Sequence, residues 1–108
     1  MGRMKYDGSG DEIVIDDVAL AHLKIVITTK LRRQESFMMT WFPVNDSVNR
    51  KRTIWIHPAI PLQFGFDTAD SPPIDSRRIH ALMERLNATG ELLLDGQAVA
   101  TTTEPALA

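Results

Sequence analysis

Cysteine is absent from the chain, which removes three chemistries together: a disulfide scaffold, a thiolate zinc site and a cysteine nucleophile. No sign of charge dominates either. Twelve Lys and Arg stand against fourteen Asp and Glu, for a net charge of −2, far from the strongly basic profile of a dedicated nucleic-acid binder. Long apolar runs are also missing; nothing approaches the roughly 20 residues of a membrane-spanning helix. Residues 1–20 hold no more than three apolar residues in a row and carry Asp7, Asp11, Glu12, Asp16 and Asp17, so no secretory leader is expected. Gly2 lacks the Ser or Thr at position 6 that N-myristoylation wants, because Tyr6 stands there. The expected compartment is the cytoplasm, and no membrane partner is expected.

What is present reads as one small domain. The chain has 108 residues, 44% of them hydrophobic, enough to bury about two-thirds of its unfolded surface around one core. Arg3 to Tyr6 and Glu12 to Ile15 read as a hairpin about the turn cluster Asp7-Gly8-Ser9-Gly10. From Asp17 to about Gln34 the apolar residues Leu20, Leu23, Ile27 and Leu31 mark a helix, capped by Asp16 or Asp17. Strands follow at 36–42, 53–57 and 62–66. A second helix carries Ile79, Leu82, Met83 and Leu86, with Gly90 placed as its C-terminal cap. Glu91 to Asp95 is a last strand, and 97–108, without periodicity, is predicted as a flexible C-terminal tail. Residues 1–96 are thus predicted as a single α+β domain, ordered ββαβββαβ, with a mostly antiparallel sheet and two helices on one face.

The net charge conceals segregation. Residues 1–23 carry two bases and five acids (−3), residues 24–52 seven and two (+5), residues 53–108 three and seven (−4). If the 43–52 loop lies beside the end of the first helix, Arg32, Arg33, Arg50, Lys51 and Arg52 form one basic patch for nucleic acid or nucleotide. Trp41 or Trp55 would then be placed to stack on bases. The strand at 36–42 is apolar on both faces, leaving Met38, Phe42 and Trp55 in surplus once two helices cover one face. Either the sheet curls on itself or a second copy covers them, giving a homodimer.

Lys5-Tyr6-Asp7-Gly8 matches K-x-D-G, in which a lysine attacks the α-phosphate of ATP and holds AMP as a phosphoramidate. Under that reading Lys5 is the nucleophile, Asp7 lies near the metal or ribose, and ATP and Mg²⁺ are the cofactors. Against it, an Arg two residues after the glycine is replaced by Gly10, and Lys24, Lys30 and Lys51 sit in no matching context. Phosphoryl chemistry needs a multi-part electrostatic clamp, so the expectation is a non-catalytic domain without a cofactor. His22, His57 and His80 have no metal-ligand spacing, and structural roles are expected for them.

Three longer patterns carry a resemblance: Ala19-Leu20-Ala21-His22-Leu23, Lys30-Leu31-Arg32-Arg33-Gln34-Glu35-Ser36-Phe37, and Thr53-Ile54-Trp55-Ile56-His57-Pro58-Ala59-Ile60-Pro61-Leu62. Over about residues 2–93 the chain resembles a group of small actinobacterial single-domain proteins of unknown function, to which the label "ATP-dependent DNA ligase" is often attached. The resemblance implies a compact single domain in an actinobacterial cytoplasm, and a ligase activity by label only.

Overall fold

The computed structural model describes residues 1–7, 11–45, 50–94 and 99–103. The elements are β1 (Gly2–Tyr6), β2 (Asp11–Ile15), α1 (Asp17–Arg32), β3 (Phe37–Trp41), β4 (Arg52–Ile56), β5 (Leu62–Gly65), α2 (Ser76–Thr89), β6 (Glu91–Leu94) and β7 (Val99–Thr103). The class is α+β and the ββαβββαβ order holds, extended by one strand. Every strand pair is antiparallel except β3 with β6. Gly8, Ser9 and Gly10 of the predicted turn lie outside the described residues.

Local chemistry sets the helix ends. The Asp16 carboxylate accepts from the Ala19 N–H at 3.1 Å, and Asp75 accepts from the Arg77 N–H at 3.0 Å, each satisfying a donor the first helical turn leaves unpaired. Gly90 ends α2 in the left-handed region at φ 74°, where a Cβ would be strained. α1 stops at Arg32, before the predicted Gln34, because Gln34 itself turns to φ 60°.

Two sheets form where one was expected, β5-β1-β2-β7 and β4-β3-β6. α1 packs against both. Ala19, Leu20, His22, Leu23, Val26, Ile27 and Lys30 are all buried, an arc of roughly half the helix circumference at 100° per residue, and Ala21 is buried beyond it. That arc joins inward residues of both sheets in one core: Met4, Ile13 and Ile15 from the first, Phe37, Met39, Trp41, Ile56 and Leu92 from the second. Gly2 permits the close approach, since a Cβ there would lie 2.5 Å from Leu20 Cδ2 and 3.2 Å from the Gly65 carbonyl.

The predicted tail is corrected over 99–103. β7 pairs with β2 from Ile15↔Val99 to Asp11↔Thr103, and Val99 is fully buried. The Val44 N–H donates to the Val99 carbonyl at 2.8 Å, and Trp41 Nε1–H donates to Thr101 Oγ1 at 2.9 Å. The segment has no alternation of apolar and polar residues, but Val99, Thr101, Thr102 and Thr103 are β-branched and suit a pleated strand once β2 offers an edge.

Candidate functional site

Lys5 lies in mid-strand. Because Met4 is buried and strand side chains alternate, Arg3 and Lys5 face outward from the four-stranded sheet, beside Glu12 and Gln63 in the register. These residues line a shallow depression with Phe64 and Gly65. Arg3 meets Glu12 at 3.5 Å and Asp67 at 3.5 Å, so cations and carboxylates alternate on this face. Asp7 follows the strand at φ 62°, its N–H donating to the Pro61 carbonyl at 2.8 Å. Among the described residues no three His, Asp or Glu side chains converge to hold a metal ion.

The five basic residues are placed in two sets. Arg32 and Arg33 line a depression with Thr29 at the C-terminal end of α1, next to the start of β3. Arg50, Lys51 and Arg52 are exposed, and Arg52 opens β4 opposite Trp41, at the far end of β3. Four strand steps of about 3.3 Å separate the ends of β3 by roughly 13 Å, beyond the ~8 Å Debye length at physiological salt.

The second set adjoins an aromatic face. Met39 and Ile56 are fully buried, so Met38, Thr40, Thr53 and Trp55 lie on the other face of β3 and β4, where Thr53 and Trp55 are exposed but Thr40 is itself buried. Trp55 sits opposite Met38 and is 48% exposed. Thr40 and Thr53 share a hydroxyl hydrogen bond of 2.8 Å at the centre of this face. Phe42, next on the same alternation, is exposed as well. Trp41, the other stacking candidate, is corrected: it is fully buried, because its position on β3 points to the core and Thr101 takes its indole N–H.

Sequence reasoning left three polar features unplaced. His22 is buried, its Nδ1 2.7 Å from the Val18 carbonyl and its Nε2 accepting from the Asp75 N–H at 3.0 Å. One nitrogen therefore donates and the other accepts, as in a neutral imidazole, and α1 is tied to the cap of α2. Lys30 is buried and donates to Asn87 of α2 at 2.9 Å and to Glu35 at 2.6 Å, and this hydrogen bond holds the Glu35 carboxyl below its usual range. A buried lysine at a helix end carries no pattern that sequence alone would flag. Third, His80 meets Glu84, four residues on in α2, at 3.0 Å with both side chains exposed, which corrects the expectation that no histidine has a carboxylate at ligand spacing. Tyr6 ties β1 to β4 through its hydroxyl on the Trp55 carbonyl. Burial raises the pKa of that phenol, against the opposing effect of the His57 backbone. No helix among the described residues is long and apolar enough to cross a membrane.

Neither the curated proteins nor the solved structures include a match to this chain. A family model described as "Domain of unknown function (DUF7882)" matches residues 1–97, a span that takes in both helices, β1 to β6 and the Trp55 face, with β7 just past its end. The chain therefore belongs to the DUF7882 family.

Proposed function

We propose that this chain is a non-catalytic binding module that engages single-stranded nucleic acid on the outward face of β4 and β3. The observation that carries the reading is Trp55, 48% exposed on β4, a strand that opens at Arg52 directly after Arg50 and Lys51. A flat indole supplies sequence-tolerant stacking, and the adjacent cations supply phosphate contacts. Phe42 offers a second ring along the same face. Arg32 and Arg33, at the other end of β3, add only screened long-range attraction.

Titration with an oligothymidylate, followed by tryptophan fluorescence, tests this. Quenching at low salt is expected, with a log–log salt slope of about −2 for three neutralised phosphates on a single strand. Trp55→Ala should weaken binding by roughly tenfold or more, the worth of one stacked base, while a double Arg32→Gln, Arg33→Gln variant should change it little. Absence of quenching at low salt would retire the proposal.

Self-association is the second reading, favoured by Phe42 and Val44 being 42% and 65% exposed beside that face. A second copy would cover Met38, Phe42 and Trp55 together. Light scattering separates the two: a dimer that Trp55→Ala dissolves supports self-association, and a monomer across all concentrations removes it.

A further inference from the structure

A cleft of about 130 Å³ opens between α1, α2 and β6. Its floor is apolar, formed by Ala19 and Leu23 of α1, Leu82 of α2, and Leu93 and Leu94 of β6. Successive strand residues point to opposite faces, so both leucines of β6 reach one cleft only because it opens at that strand's free edge. Arg78 and Arg85 form the rim. They lie four residues before and three after Leu82, on one side of α2.

We propose that this cleft binds a small apolar carboxylate, an aromatic or branched-chain acid, with its hydrocarbon on the leucine floor and its carboxylate on Arg78. The volume suits such a body, since an apolar cavity of about 150 Å³ holds a benzene ring. The rim suits the head group: the Arg78 side chain is half-buried, and among the described residues it has no carboxylate partner. A planar guanidinium accepts a carboxylate in a bidentate pair. The proposal does not rest on nucleic-acid binding, although Leu93 pairs with Thr40 and so lies on the same side of the three-stranded sheet as Trp55.

The competing role for the two arginines is packing, their alkyl stems roofing the leucines while the charges stay in water. Amide-resolved NMR titrations with benzoate and with benzyl alcohol, at constant ionic strength, distinguish the two. Benzoate should give saturating shifts at the amides of Leu82, Leu93 and Leu94, with a Kd on the order of 1 mM for so small a ligand. Benzyl alcohol, of similar shape without the charge, should bind about tenfold more weakly. Arg78→Gln should abolish that preference while leaving the alcohol's affinity and the amide spectrum outside the cleft unchanged. Leu93→Phe, which fills the floor, should remove both. Shifts that do not saturate at these amides, equal affinity for the acid and the alcohol, or benzoate binding unaffected by Arg78→Gln would each overturn the proposal.

Discussion

Removing β7 is the perturbation that most directly probes the architecture. A chain ending at residue 98 loses Val99, whose burial is complete and worth about 1.5–3 kcal/mol. It also deprives the buried Trp41 of the Thr101 acceptor for its indole N–H, at about 1–3 kcal/mol for an unsatisfied buried donor. The ladder bonds to β2 are lost too, but each contributes only about 1 kcal/mol net, and freeing five residues regains backbone entropy of similar size. The remaining penalty is roughly 3–6 kcal/mol, a large share of the 5–15 kcal/mol typical of a domain. Urea unfolding of the truncated and full chains measures it, with Val99→Ala expected at about 2–3 kcal/mol and Thr101→Val at about 1–2 kcal/mol. A truncated chain with the same midpoint as the full one would refute the reasoning and restore a dispensable tail.

His22→Phe keeps the ring volume but removes the acceptor for the Asp75 N–H; it should cost about 1–3 kcal/mol and lower Tm by roughly 4–8 °C per kcal/mol, read by calorimetry. Because the Lys30 hydrogen bond depresses the Glu35 carboxyl, the stability it contributes is present above pH 4.5, its ordinary value, and is lost as pH falls through the lower folded value. Urea midpoints between about pH 3 and 6 should therefore fall less steeply in Glu35→Gln than in the unaltered chain. Tyr6 works in the opposite sense: its raised pKa gives stability that is full below pH 10.0 and declines as pH rises through the higher folded value, which Tyr6→Phe should abolish in alkaline melts. Incubation with ATP and Mg²⁺ should leave the intact mass unchanged, since Lys5 shares its outward sheet face with Glu12 and Gln63; a covalent AMP adduct lost in Lys5→Ala would establish the nucleotidyl-transfer reading instead.

Much of this fold was legible in one dimension. The start of α1 was narrowed to Asp16 or Asp17, of which Asp16 is the cap, Gly90 announced the end of α2, and the apolar excess of the middle strands marked Trp55 as surplus. The candidate site was legible only in part. Both tryptophans read alike as aromatics in strands, yet Trp41 is fully buried and Trp55 half-exposed, a difference set by which side of its sheet each residue faces. The five basic residues are adjacent in charge counting, but the antiparallel register of β3 and β4 carries Arg52 to the end of β3 opposite Arg33. The Arg78 cleft left no trace in the sequence at all, because its walls come from three elements far apart along the chain.

What the sequence determined by itself is what local physics enforces: element type from periodicity, termini from capping side chains, the absence of thiol chemistry, and a basic middle between acidic ends. Tertiary structure decided the rest. A strand of five unpatterned residues at 99–103 forms because β2 presents an edge to it and Trp41 needs its hydroxyl, partners 60 and more residues away in the chain. The division into two sheets is likewise tertiary: inward residues of both meet the buried side of α1 in one core. Long-range pairing is bought with loop-closure entropy and returned only when the whole core assembles, so no window of sequence short enough to read carries its signature.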